Sequence, residues 1–266
     1  MTMLALDKPL IAKLDTTTFN FQKIIIDRLK LYDFTEAAIT SYCLDKSKKF
    51  EGYDFKAFKD KFRLAQFKKD SEIKSIEYDK MIQVGNNFVK NELADSIFVL
   101  NMANFEQWIL NSMRITYMKY PSEIFKNEKQ KNEKQEKQID ITLVKESVDL
   151  DDLWGKIIER YLIGLTYDGM KKLLNKFLKL FDIKKAEITT DIVDKINENS
   201  QCRHLIVHNH KIVNDAYIEK SGKHARFKKN EQIVISEEIL FEEGDNLLRF
   251  MQDFRNIFAR RRRKNK

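Results

Sequence analysis

Apolar residues recur with a helical period along most of this chain. Between residues 87 and 120, Ala94, Phe98, Asn101, Phe105, Trp108 and Ser112 alternate by four and three. That spacing puts them on one face of a long helix that must pack against other helices. Pro121 stops it, because proline has no amide hydrogen and disfavours helical backbone at the residue before it. Asp151 and Asp152 open a second helix with Trp154, Ile157, Ile158, Tyr161 and Leu165 on its inner face. A break across 164–169 separates it from a third, carrying Met170, Leu173, Leu174, Phe177 and Phe181. Residues 191–209 contain no Pro or Gly, have Thr189 or Thr190 placed to cap them, and put Ile192, Ile196 and Ile206 on one face. Ser236 followed by Glu237 and Glu238 starts a last helix, with Leu247, Leu248, Met251, Phe254 and Phe258 as its stripe.

The first 87 residues are helical in pattern but irregular. Phe21, Ile24, Ile25 and Leu29 share one spacing and Phe55, Phe58 and Phe62 another, with Asp54 as a cap and a turn at 50–53. Residues 126–138 hold no apolar side chain and can bury nothing, so they predict a solvated helix extension or a disordered loop. Two short β-like runs, 216–219 and 232–235, flank the polar segment 220–230 and predict a small hairpin.

Composition sharpens this to an all-α protein. Seven Gly and two Pro in 266 residues favour long helices with short connections, and nineteen Phe predict an aromatic core. A net charge of +8 permits a basic surface for nucleic acid, and the terminal run of Arg260, Arg261, Arg262, Arg263 and Lys264 is a candidate phosphate grip. Cys43 and Cys202 match no disulfide or zinc pattern, which points to a reducing cytoplasm. No apolar run approaches the roughly 18–20 residues that span a bilayer. Asp7, Lys8 and Pro9 interrupt any signal-like start, so a soluble protein with no membrane partner is expected.

The chemistry concentrates in one place. Three of the four histidines, His204, His208 and His210, lie within seven residues beside Arg203. Imidazole exchanges protons near neutrality, and a permanent cation next to it suggests work on an anion. On a helix, His204 and His208 stack, whereas Arg203 and His208 stand roughly 140° apart. A site using both is therefore easier to build from two copies of the helix. Arg203 falls on the apolar face and needs an acceptor there, for which Glu106, beside the long-helix stripe, is a candidate. Two other readings stay open: a structural Arg203 ion pair with the histidines as surface groups, and a metal site at His204, His208 and His210.

The whole order is a long helix ending at Lys119, Tyr120 and Pro121, then a helical pair, then the Arg203–four residues–His208 helix. Asn209 and the run Ile212, Val213, Asn214, Asp215 follow, then the hairpin-like stretch and a closing helix. This resembles the HEPN superfamily (higher eukaryotes and prokaryotes nucleotide-binding domains) over residues 88–260. Residues 1–87 are left as an N-terminal helical extension and 261–266 as a basic tail. The resemblance implies an antiparallel helical bundle that forms a homodimer, with Arg203 and His208 of both copies lining one cleft. It implies a metal-independent endoribonuclease without cofactor, acting on RNA as a toxin or antiviral-defence (abortive-infection) effector, with an antitoxin or defence-system partner. Arg203 and His208 take the catalytic positions, with His204, Asn209 and His210 as supporting residues. His210 stands where one branch often has a tyrosine that its antitoxin modifies, a departure from that branch. The alternative implied by other members is a catalytically inactive module that binds RNA or protein.

Overall fold

A computed structural model describes residues 7–44, 87–126 and 141–264. Its elements are α1 (Lys8–Leu44), a π-helical turn (Phe88–Leu93) running into α2 (Ala94–Lys119), α3 (Ser122–Lys126), α4 (Ile141–Glu146), α5 (Leu150–Tyr167), α6 (Met170–Leu180), α7 (Ile192–His208), α8 (Asp215–Ser221) and α9 (Glu237–Lys264). Among the described residues there is no strand, and the chain is all-α. The Phe55, Phe58 and Phe62 stripe, Asp54, the 50–53 turn and residues 127–138 lie outside the described residues.

Helix α2 is the centre, in contact with α1, α5, α6, α7 and α9. All six residues of its predicted stripe are buried. Trp108 shows why: its ring meets Phe177 of α6 at 5.3 Å and Phe254 of α9 at 5.5 Å, and its indole N–H donates to Thr18 Oγ1 of α1 at 3.1 Å. The apolar body is thereby buried with its one polar atom satisfied. Phe105 meets Phe250 at 5.6 Å, so α2 and α9 run in the same direction. Helix α1 opposes both, with Asp15 on Arg255 and Tyr32 against Phe241. Residues of the expected N-terminal extension, among them Leu14, Ile25 and Tyr32, share this one core. Ile24, expected to pack with Ile25, is 39% exposed; among the described residues, α1 packs against α2, the π-helical turn before it and α9.

Several local expectations are corrected. The break expected across 164–169 is narrowed to a tight turn at its end: α5 continues through Gly164 to Tyr167, and the turn comes at Gly169, whose φ of +85° suits glycine. Thr189 does not cap α7; its amide and hydroxyl both donate to Asp253 of α9, at 2.8 and 2.7 Å. The predicted hairpin is absent: residues 216–219 lie in α8, started by Asn214, whose side chain accepts from Tyr217 N at 3.0 Å. One antiparallel bridge, Ile212 to Gln232, is all that remains of it. The residues read as strand instead make a helix because Tyr217 is drawn into the core against α7. Ser236 caps α9 as expected, accepting from Ile239 N at 3.3 Å.

One buried acid sits between α2 and α9. Glu243 is 0% exposed, and Asn101 Nδ2 donates to its Oε2 at 3.2 Å. Glu243 Oε1 and Asn101 Oδ1 have no partner. Asn104, its amide oriented by the network, accepts from Arg28 instead. Burial pushes the Glu243 carboxyl well above its ordinary 4.5, against the pull of Asn101, Arg226 and Arg28. The folded state then holds a proton that the unfolded chain releases. The stability Glu243 contributes is full below pH 4.5 and is lost as pH rises through its folded value. Glu243→Gln, permanently neutral, is expected to remove that decline, measured as urea-denaturation stability against pH.

Candidate functional site: the Arg/His helix

Helix α7 turns Ile192, Ile196, Cys202 and Leu205 into the core and leaves His204, Val207 and His208 exposed. The four-residue spacing stacks the two imidazoles, with ring centroids 5.0 Å apart and planes tilted by 51°. Among the described residues no hydrogen bond ties either ring to a carboxylate or carbonyl. Helix α8 lies alongside, held where Asn197 Nδ2 donates to the Lys220 carbonyl at 2.9 Å. Partial burial lowers the His204 pKa, and the charges of His208, Lys220 and Arg203 lower it further. This is a cationic corner whose surroundings disfavour a further charge on His204.

Arg203 points elsewhere. It is half-buried between α7 and α2, and its Nε is buried without a hydrogen-bond partner. Glu106 of α2 is the carboxylate that senses it: burial raises the Glu106 pKa and the Arg203 charge opposes the rise. In a single chain, then, Arg203 and His208 diverge, as their spacing on the helix requires.

The end of α7 is built with unusual backbone. Asn209 donates through Nδ2 to Ile212 O at 2.6 Å, and the amides of Asn209 and Lys211 both reach Leu205 O at 3.0 Å. His210 and Lys211 adopt left-handed conformations, φ 49° and 65°, each costing about 1–3 kcal/mol for a side chain other than glycine. Lys211 offsets this by pairing with the buried Asp95 at the start of α2, whose pKa is raised by burial and pulled back by Lys211. Further bonds, Val213 N to Glu231 O and Ile233 N to Lys211 O, pin the segment. This turn carries exposed His210 off the ridge of His204 and His208.

Behind the ridge lies a polar cluster that periodicity gives no hint of. Arg226, from the loop after α8, pairs with the buried Glu198 and bonds Asn199. Tyr217 O–H donates to Glu198, and the Cys202 thiol donates to the same oxygen at 3.1 Å. Burial, reinforced by the charge of Glu198, pushes the Cys202 and Tyr217 pKa values far up. Cys202 is therefore an inert thiol. The cluster clamps α8 and its loop onto α7 and so fixes where Lys220 stands.

The basic end is divided. Helix α9 continues to Lys264. Arg260 is exposed, whereas Arg261 donates to Phe181 O and Asp182 O, both at 2.7 Å, at the C-terminus of α6. The side chains of Arg262, Arg263 and Lys264 lie outside the described residues. Two charge-assisted bonds to helix-end carbonyls stabilise by about 1.5–3 kcal/mol when buried and by less at this partly exposed site. Arg261→Ala is expected to cost about 1–2 kcal/mol of folding stability, and Arg260→Ala less than about 0.5, by urea denaturation.

Among the described residues, the donors close enough to share a metal ion are Asp191, Asp194 and His224. Those carboxylates already face Lys223 and Lys171. His204, His208 and His210 form no such group. No described helix is long and apolar enough to cross a membrane. Compared with protein families, with curated proteins and with solved structures, the chain matches none.

Proposed function

We propose that this chain is a metal-independent endoribonuclease of HEPN type, acting on RNA as a homodimer and serving as a toxin or antiviral-defence effector. The observation that carries the reading is the exposed His204–His208 pair on the helix that also holds Arg203, whose Nε is unused. Cleaving RNA without a metal needs a base for the 2′-hydroxyl, an acid for the departing 5′-oxygen and a cation for charge on the phosphoryl oxygens. Imidazoles supply the first two, and a guanidinium fork suits the third.

The homodimer follows from the divergence of Arg203 and His208. A two-fold axis beside α7 brings both pairs to one groove. Exposed Val207, Ile212 and Val234, which are 46%, 40% and 54% accessible, offer apolar surface for such a contact. The second reading, a non-catalytic module that binds RNA or protein, is favoured by Glu106, which gives Arg203 a structural neighbour. Incubating the purified chain with total RNA in EDTA, with its mass followed by light scattering, separates the two. A dimer that degrades RNA supports the nuclease. A protein that binds RNA and leaves it whole supports the module, and a monomer that cleaves overturns the composite cleft.

A further inference from the structure

The function above leaves open where the two proton carriers come from. The outer face of α7 presents two imidazoles, not one. Their centroids are 5.0 Å apart, both are exposed, and among the described residues no carboxylate is hydrogen-bonded to either. That separation suits groups serving the two ends of a single phosphodiester. We propose that His204 and His208 of one protomer form a complete acid–base couple, His204 as base and His208 as acid. This rests on the ribonuclease reading.

The assignment of roles follows from surroundings. Burial favours the neutral form of His204, and so do the charges that act on it, those of His208 beside it, Lys220 on α8 and, from the other side of α7, Arg203. A neutral imidazole offers the lone pair that a base needs. His208 lies one turn further on, in the last turn of α7, with its ring against that of His204. The imidazole whose surroundings favour the neutral form takes the base's part, which leaves the acid's part to its neighbour. In the step itself, His204 takes the proton from the 2′-hydroxyl as O2′ bonds to phosphorus. The P–O5′ bond breaks, and the His208 proton passes to O5′. The products are a 2′,3′-cyclic phosphate and a 5′-hydroxyl, with no other reactant. Lys220, whose ammonium meets no carboxylate among the described residues, stands beside this couple to hold a phosphoryl oxygen.

Replacing the bridging 5′-oxygen by sulfur tests this, because a thiolate departs without an acid. The full-length protein is used, with an oligonucleotide carrying a linkage that the wild type cuts, in oxygen and sulfur forms. On the oxygen form, His204→Ala and His208→Ala are each expected to lose on the order of 10²-fold or more. On the sulfur form His208→Ala recovers most of its loss and His204→Ala does not. His204→Gln, which keeps a polar side chain and cannot act as a base, behaves as His204→Ala, separating proton transfer from packing. Cleavage of the oxygen form by His204→Ala at the wild-type rate overturns the couple, as does equal recovery of both variants or recovery of neither. A wild type that cuts no RNA defeats the ribonuclease reading itself, a result distinct from all of these.

Discussion

His208→Ala is expected to abolish RNA cleavage while leaving the protein as stable as the wild type. Removing a proton-transfer group costs about 10²–10⁴-fold in rate. His208 is exposed, and its ring lies against that of His204. Exposed substitutions of this kind stay within about 0.5 kcal/mol. Thermal melting and cleavage rate measured on one preparation check both halves. Arg203→Lys provides the counterpart: an ammonium cannot reproduce the planar fork, so activity stays low. Because Arg203 is half-buried against α2, its variants must be compared at equal stability. Wild-type cleavage by His208→Ala would remove the basis for placing chemistry on α7.

The largest stability effect is expected at Arg226. Its side chain is 23% exposed and that of its partner Glu198 only 3%. Burial works against the Arg226 charge, but the bond to Glu198 and the charges of Glu198, Cys202 and Glu242 outweigh it and raise its pKa. Arg226→Ala leaves the Glu198 carboxylate in the interior with only Tyr217 and Cys202 as donors. Breaking a buried pair in this way costs about 3–5 kcal/mol. A Glu198→Ala/Arg226→Ala double variant should cost less than the two singles combined, since neither charge is then stranded. Urea denaturation measures all three, and a loss below about 1 kcal/mol for Arg226→Ala alone would show that Glu198 finds other compensation. The consequence reaches the outer face of α7, because this cluster holds α8, and with it Lys220, in place.

What the sequence made legible is what repeats. The four-and-three stripe of α2, the Met170–Phe181 stripe of α6 and the α9 stripe are apolar at a fixed period, and nearly all their members are buried. The stacking of His204 on His208 was equally legible, being a matter of spacing alone. The failures have physical causes. Residues 216–219 read as strand from composition, but a cap at Asn214 and a phenol drawn to a buried carboxylate made them helix. Thr189 was placed to cap α7, but Asp253, 64 residues on, competes for both of its donors. Arg261 read as one cation among the five of the terminal run, and only the position of the α6 end shows that it is held. The Glu198–Arg226 and Asn101–Glu243 pairs join residues 28 and 142 positions apart, and periodicity cannot find a polar residue whose partner lies on another element. Arg203 is the intermediate case. Its need for an acceptor followed from its place on an apolar face, and Glu106 is the carboxylate that senses its charge.

The face of α7 is proposed to perform proton transfer on RNA without a metal. The most direct measurement is the chemistry of the ends left when the purified protein cuts RNA in EDTA. Fragments ending in a 2′,3′-cyclic phosphate and beginning with a 5′-hydroxyl are expected from the wild type, and none from His208→Ala. RNA left intact by the wild type in EDTA, or cut to leave 5′-phosphates, would contradict it.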